Sequence, residues 1–165
     1  MEKKSLGDGQ LFREFSRWLS LNYDVEMADI RKVISEKERS FFIPLSIITS
    51  ELGVLESVVK YLREVKRLKF SEIGLLLKRN PIAISSTYRA SLKKFPTLFA
   101  DYYLAGSGYD IPVDVFQDRQ LAPLESVVLF LKDEKLLRFA RIAELLKRDQ
   151  RTIWTVYKRG MLKKR

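Results

Sequence analysis

Apolar residues recur with helical spacing in the last third of the chain. Leu124, Val127, Val128 and Leu131 lie at positions i, i+3, i+4 and i+7, which is the pattern of one buried helix face. A short second helix is expected to begin near Phe139. A third is expected just after Asp149, and its inner face would be formed by Ile153, Val156 and Tyr157.

The same pattern occurs earlier in the chain, at an offset of 69 residues. Residues 55–94 align with residues 124–163 without a gap, and 17 of the 40 pairs are identical. Upstream, Phe42–Leu45 resembles Asp110–Val113 at an offset of 68. The chain therefore contains two copies of one unit.

Each copy is predicted to hold three helices, of which the last two are joined by a short turn. A small residue, Gly74 or Ala143, stands where the following helix would cross closely. Asn80 and Asp149 are good N-caps for the third helices, and Pro81 suits a first helical position. Two short helices around such a turn indicate a helix-turn-helix. The alternative is a generic, basic three-helix bundle.

The predicted organisation is all-α, with two tandem helix-turn-helix units behind an N-terminal helical segment. The expected boundaries are residues 1–42 for that segment, 43–94 for the first unit, 95–110 for a linker and 111–165 for the second unit. The N-terminal segment carries an apolar stripe, and a second helix is expected over residues 25–36; the stripe is formed by Leu11, Phe12, Phe15, Trp18 and Leu19. This stripe could be core packing against the first unit, or a surface for a homodimer or another partner. A membrane helix is disfavoured because Glu14 interrupts its basic face.

The amino-acid composition excludes several kinds of functional site. The 165 residues include no His and no Cys, which excludes most zinc sites, haem ligation, disulfides and imidazole catalysis. The net charge is +10, and it is concentrated: residues 66–94 carry +7 and residues 135–165 carry +9. The two basic windows coincide with the two copies, so nucleic acid is the first partner to expect.

Residues 141–159, RIAELLKRDQRTIWTVYKR, resemble the helix-turn-helix in the fourth conserved region of bacterial sigma factors. The tandem units with their Ile-Pro-aliphatic segments also resemble uncharacterised archaeal repeat proteins. The resemblance covers roughly residues 43–94 and 111–162. It implies a DNA-binding fold, but no part of the chain resembles the sigma regions that bind polymerase and melt promoters.

If the third helix of the second unit lies in a major groove, its outward residues would read bases. These residues are Gln150, Arg151, Trp154, Thr155 and Lys158. Trp154 could press on sugars or thymine methyls, or it could dock another part of the chain. The expected phosphate contacts are Lys78, Arg79, Arg89, Lys93, Lys94, Lys147, Arg148, Arg159, Lys163 and Lys164, with Arg165 beyond them.

The first unit is less suited to reading bases, because its equivalent positions carry short or apolar side chains: Pro81, Ile82, Ser85 and Ser86, together with Arg89. It would either contact the DNA backbone, which we favour, or be a structural copy whose third helix packs on a neighbour.

The sequence predicts a non-enzyme without cofactor, metal or small-molecule substrate. It contains no Gly-rich phosphate loop and no Gly-x-Ser-x-Gly motif. Asp133 and Glu134 are interpreted as a solvated helix end. The expected function is sequence-specific binding of double-stranded DNA by a cytoplasmic, nucleoid-associated transcription regulator. The alternatives are a chromatin protein with little sequence preference and a protein-interaction module.

Overall fold

In the computed structural model, the Ile-Pro segments that precede the two repeats are short strands. The structure describes Arg17, Trp18, Leu21, residues 41–99 and residues 108–164. Strand β1 (Phe42–Pro44) and strand β2 (Asp110–Pro112) are each followed by a 3₁₀ turn, Leu45–Ile47 and Val113–Phe116 respectively. The sequence analysis did not predict this sheet.

The six helices expected in the two repeats are all present. In the first repeat they are α1 (Val54–Glu64), α2 (Phe70–Leu76) and α3 (Pro81–Lys94). In the second they are α4 (Pro123–Leu129), α5 (Phe139–Leu146) and α6 (Gln150–Lys163), and α4 continues into a π-helical turn over Phe130–Glu134. The mainly helical prediction is therefore confirmed, with a two-stranded sheet added.

The backbone repeats as closely as the sequence does. Four non-glycine residues in the described part of the chain have positive φ, and they form two equivalent pairs. Arg67 and Leu136 have φ values of 56° and 54°, and Lys78 and Lys147 both have 50°. Left-handed conformations are uncommon outside glycine, so their recurrence at matching positions means that the two copies turn their chain alike.

Both repeats share one core. Equivalent residues are fully buried in the two copies: Val58 and Val127, Leu62 and Leu131, Ile73 and Ile142, Leu77 and Leu146, Ile84 and Ile153. They belong to one continuous apolar cluster. The chain divides into two compact units at Ser40/Phe41, so that both repeats lie in the second, Phe41–Arg165.

The two strands pair antiparallel through equivalent residues. Ile43 lies opposite Ile111, and both are fully buried. Beyond the strands, Leu45 N–H donates to Tyr109 O at 2.9 Å, while Val113 N–H donates to Phe41 O at 2.8 Å. The two hydrogen bonds are equivalent, because each joins the N–H of the residue after one strand to the carbonyl oxygen of the residue before the other strand. The contact between the repeats is therefore two-fold symmetric at its centre.

The repeats differ at two positions that face each other between the first and third helices. Lys60 on α1 is fully buried, and its Nζ lies 2.6 Å from Glu64 Oε1. The equivalent residue on α4 is Leu129, and a Cβ on Gly160 would lie 2.8 Å from its Cδ1. A Cβ at this position of α6 would therefore crowd Leu129, and the chain has Gly160 there where the first repeat has Ser91.

The linker begins as a packed segment. Phe99 is buried, and its N–H donates to Glu64 Oε2 at 2.9 Å. Lys60 Nζ lies 5.4 Å from the centre of the Phe99 ring. Residues 100–107 of the linker lie outside the described part of the chain.

In the N-terminal compact unit, Met1–Ser40, the structure describes Arg17, Trp18 and Leu21, which are helical and exposed. The remainder of the predicted apolar stripe and the second helix predicted there lie outside the described residues.

Candidate nucleic-acid interface

Each repeat carries a tight turn between its second and third helices, of four residues in the first repeat (77–80) and three in the second (147–149). Lys78 adopts a left-handed conformation, and Arg79 N–H donates back to Gly74 O at 2.8 Å. In the second repeat Lys147 and Arg148 do the same, and the bond to Ala143 O is 3.0 Å long. A turn of this length places the third helix directly across the second.

The small residue in the second helix is required by this crossing. A Cβ on Gly74 would lie 2.7 Å from Arg79 O and 3.2 Å from Pro81 Cγ. The sequence analysis attributed the small residue to the crossing helix, and the structure shows that the closest atom is the carbonyl oxygen in the turn.

Side-chain caps begin both third helices. Asn80 Oδ1 accepts a hydrogen bond from Ile82 N–H at 2.8 Å, and Asp149 Oδ1 accepts one from Arg151 N–H at the same distance. Each cap satisfies a backbone donor that the first helical turn leaves unpaired. Both caps are at the predicted positions, so α3 and α6 start where the sequence analysis placed them.

The five predicted base-reading residues form one exposed arc on α6. At 100° per residue they span about 140° of the helix, opposite the fully buried Ile153. All five are exposed: Gln150, Arg151, Trp154, Thr155 and Lys158. Apart from Trp154, these are polar side chains, and Gln150, Arg151 and Thr155 lie in the N-terminal half of the helix.

Trp154 packs with its own helix. Its side chain is 47% exposed, and Lys158 Nζ lies 4.1 Å from the centre of its ring. This cation–π contact joins two members of the arc at i and i+4. Thr155 Oγ1 donates to Arg151 O at 2.9 Å, which fixes the hydroxyl but leaves its lone pairs free to accept.

A tyrosine on the inner face of α6 connects this helix to the turn that continues α4. Tyr157 donates its hydroxyl to Asp133 Oδ1 at 2.9 Å, and its ring lies 5.3 Å from that of Phe139. The hydrogen bond to Asp133, together with burial, raises the pKa of Tyr157. Tyr88 makes the equivalent bond to Glu64. Both tyrosines therefore fix the third helix to the end of the first.

On α3 the equivalent arc is uncharged except for Arg89. Ile82 is 79% exposed, and Leu75, at the end of α2, is 80% exposed. The second repeat has Arg151 and Glu144 at these two positions. The described part of the chain leaves the Leu75 and Ile82 side chains uncovered, so the face of α3 around Ile82 is exposed.

The lysine and the arginine in each turn differ in their exposure to solvent. Lys78 and Lys147 are exposed, whereas Arg79 and Arg148 are half-buried. The Nε atoms of both arginines are buried without a hydrogen-bond partner in the described part of the chain. Burial, and secondarily the charge of Arg119, lowers the pKa of Arg79.

Arg119 was missed by the sequence analysis. It lies outside both basic windows, 40 residues from Arg79, in the segment that precedes α4. Only the pairing of the repeats brings these two charges together, so no linear signal could have identified it.

Two predicted phosphate contacts have another partner. Lys94 Nζ lies 2.7 Å from Glu56 Oε1, and Lys163 Nζ lies 2.7 Å from Glu125 Oε2. Both lysines end their helices, about 20 Å from the first residue. They join the third helix of each repeat to the start of the first, a role that the sequence analysis did not predict.

The carboxylates in these pairs are strongly held. Burial alone would raise the pKa of Glu125, but hydrogen bonds from Lys163 and from Ala122 N–H outweigh it, and the pKa lies below its ordinary value. Glu56 shows the same balance with Lys94 and Gly53 N–H.

The other predicted phosphate contacts remain exposed, but their surroundings differ. Arg89 Nη2 donates to Ser85 Oγ at 3.2 Å on the outer face of α3. Lys93, Arg159 and Lys164 are exposed, and Arg165 lies outside the described residues. The exposed positive groups thus follow the turn and the third helix in both repeats.

Within residues 41–99 and 108–164, together with Arg17, Trp18 and Leu21, no cluster of three or more carboxylates has the arrangement needed to hold a metal ion. None of the helices in that part of the chain is long and apolar enough to cross a membrane.

Comparisons of the chain with models of protein families, with curated proteins and with solved structures find no match.

Proposed function

We propose that this protein binds double-stranded DNA with sequence preference and acts as a transcription regulator. Each repeat is a helix-turn-helix unit in which the third helix enters the major groove. In this proposal α6 reads bases, and α3 and the turn residues supply contacts to the phosphate backbone.

The exposed arc of α6 carries the proposal. It presents an amide, a guanidinium, a hydroxyl and an ammonium group on one side of a capped helix. Gln can pair with adenine through two hydrogen bonds, and Arg can pair with guanine in the same way. A generic basic bundle needs neither this clustering nor the tight turn that precedes it.

The turn arginines support backbone contact. Arg79 and Arg148 are half-buried beside the turn, and the charge of Arg119 acts on Arg79. A phosphate group placed beside these guanidinium groups would offset the repulsion between Arg79 and Arg119. Lys78 and Lys147 extend into solvent beside them.

The surface of the first repeat favours a second candidate function, binding of another protein. Leu75 and Ile82 are about four-fifths exposed and lie on either side of the turn. On this alternative the first repeat would bind a partner through apolar contacts while the second binds DNA.

Two double mutants test the proposed function. Binding to a library of duplex sites is measured at several salt concentrations for Lys78→Ala/Arg79→Ala and for Gln150→Ala/Arg151→Ala. The first should weaken binding nearly uniformly and lower the salt slope by up to about two units, since each phosphate contact contributes about 0.9. The second should change which sequences are preferred.

A matched control separates the two candidate functions. The variant Leu75→Ser/Ile82→Ser removes the exposed apolar pair without changing charge, and it should leave DNA affinity and the salt slope nearly unchanged. An unaltered chain that shows no salt-dependent binding to duplex DNA would contradict the proposed function. If Lys78→Ala/Arg79→Ala leaves the salt slope unchanged, the first repeat is not on the DNA.

A further inference from the structure

We infer that the DNA target of this chain is an inverted repeat with two unequal halves. The inference rests on the proposed function, and it specifies the arrangement of the target. One half is read in sequence by α6. The other half is related to it by a two-fold axis and is contacted by α3 with little selection among bases.

The strand pairing provides the symmetry. In a head-to-tail arrangement of two repeats, a surface of one copy would contact a different surface of the other. Here Ile43 pairs with its own equivalent, Ile111, and the flanking residues are exchanged in register, Phe42 with Pro112 and Pro44 with Asp110. A surface that contacts its own equivalent requires a two-fold axis between the copies.

Contacts further from the strands follow the same symmetry. Helices α1 and α4, which are equivalent, touch each other. The 3₁₀ turn Leu45–Ile47 contacts α5 of the other repeat. In the opposite direction, Gln117 Nε2, which follows the second 3₁₀ turn, donates to Leu76 O on α2 at 3.0 Å. Each repeat thus reaches into the second helix of its counterpart.

The internal geometry of the repeats extends the axis to the third helices. Equivalent contacts fix α3 and α6 within their repeats, among them the Glu56–Lys94 and Glu125–Lys163 pairs. The tyrosine bonds to Glu64 and Asp133 are likewise equivalent. Since the repeats are folded alike and joined about a two-fold axis, α3 and α6 are related by that axis too.

Symmetry in the protein sets the symmetry of the site. A pair of recognition helices related by a two-fold axis matches DNA half-sites related by the dyad of the duplex, which are inverted repeats. Dimers of helix-turn-helix proteins achieve this with two chains. Here one chain supplies both helices, so the two can diverge, and they have: α6 presents Gln150 and Arg151 where α3 presents Pro81 and Ile82.

A symmetrised variant tests the arrangement. The outer arc of α3 is converted to that of α6 by Pro81→Gln, Ile82→Arg, Ser85→Trp, Ser86→Thr and Arg89→Lys. Four of these residues are exposed and Ser85 is half-buried, and circular dichroism and thermal melting check that the variant keeps the fold. Bound duplexes are then selected from a random library with the unaltered chain and with the variant.

The unaltered chain should enrich one defined half-site accompanied by a poorly defined second half. The variant should enrich palindromes in which the same half-site appears twice, inverted, at one spacing. On synthetic duplexes the variant should prefer the inverted arrangement over a direct repeat of equal spacing by at least tenfold. The unaltered chain should gain much less from the second half-site.

Hydroxyl-radical footprinting of the unaltered chain provides a second measurement that does not depend on the variant. Protected phosphates should be arranged symmetrically about a dyad between the two halves. Protection in direct repeat, or enrichment of direct repeats, would overturn the inference and leave DNA binding in place. Failure of the unaltered chain to bind any duplex would instead overturn the proposed function, and the inference with it.

Discussion

At Gly74, the space between two helices decides which residue the chain can use. Alanine is favoured over glycine within a helix by about 1 kcal/mol, so propensity alone would favour Gly74→Ala. A Cβ would, however, lie 2.7 Å from Arg79 O. That oxygen belongs to the backbone of a tight turn and cannot move without disturbing α3.

We therefore expect Gly74→Ala to lower the free energy of unfolding by about 1–3 kcal/mol, because overpacking outweighs propensity. Gly53→Ala is the matched control. Its φ is −63°, its nearest neighbour would be the flexible Glu56 carboxylate at 3.3 Å, and the second repeat already has Ala122 there. Denaturant melts of the two variants would be compared. Equal stabilities would contradict the crowding argument.

A corresponding prediction applies to Ala143, which is buried below the turn of the second repeat. The methyl group is accommodated there, but the larger side chain in Ala143→Leu should destabilise the protein by about 1–3 kcal/mol through overpacking. Unchanged thermal melting would show that the crossing is looser than the structure indicates.

Arg151 is the residue on which base selection should depend most. It is exposed, and it follows the Asp149 cap by two positions. We expect Arg151→Ala to weaken binding to a preferred site by about 1–3 kcal/mol and to relax preference at one base position. Thr152→Ala, next in the chain but outside the arc, should leave the preferred sequence unchanged. An equal loss on random and preferred duplexes would mean that Arg151 contacts phosphate only.

Among the secondary-structure elements, the Glu125–Lys163 pair joins α4 to α6. The pKa of Glu125 is lowered, so the folded state favours the ionised carboxylate. This stabilisation is present above about pH 4.3, where the unfolded carboxyl group ionises, and it is lost as the pH falls toward the lower pKa of the folded state.

We therefore expect Glu125→Gln to cost about 1 kcal/mol at pH 7, a modest value because Lys163 keeps much of its hydration. The loss should shrink in acid, so that the variant and the unaltered chain converge below pH 4. Unfolding free energies between pH 3 and pH 7 check this. As a control, Lys164→Met removes the adjacent positive charge and should keep the original pH dependence. If Glu125→Gln lowers the free energy of unfolding by the same amount at every pH, the ionic role of Glu125 is contradicted.

The sequence predicts the helices well because their signals are local. Apolar spacing defines the buried faces, and Asn80, Pro81 and Asp149 mark the helix starts through interactions within two residues. The exposed arc of α6 follows from the same periodicity, since knowledge of the inner face also gives the outer one. For these elements the fold within each repeat adds little that the sequence does not already specify.

Long-range pairing could not be predicted in the same way. A three-residue strand ending in proline has too few positions for an alternating pattern to show, and its partner lies across the linker. The Glu56–Lys94 pair spans 38 residues, and Arg119 is brought to Arg79 from 40 residues away. These contacts depend on how the helices pack together, which residue spacing does not specify.

At the scale of the whole molecule, the two repeats stabilise each other across the strand pair. Their buried residues form one cluster, and the segment Phe41–Arg165 is one compact unit. Ile43 and Ile111 lie at its two-fold centre and are fully buried. A defect at this centre should therefore destabilise both repeats together, whereas independent units would lose one repeat and keep the other.

The test is to place a charge at that centre. Ile43→Asp would bury a carboxylate without a partner, at an expected cost of several kcal/mol. Phe42→Asp is the matched control, because Phe42 is the residue before Ile43 in β1 and its side chain is exposed. We expect Ile43→Asp to abolish the cooperative unfolding of both repeats and, with it, DNA binding. The melting temperature of Phe42→Asp should lie near that of the unaltered chain.

Hydrogen exchange would report each repeat separately. Continued protection of the Ile142, Leu146 and Ile153 amides in Ile43→Asp would show that the second repeat folds alone and that the shared core is not needed for its stability.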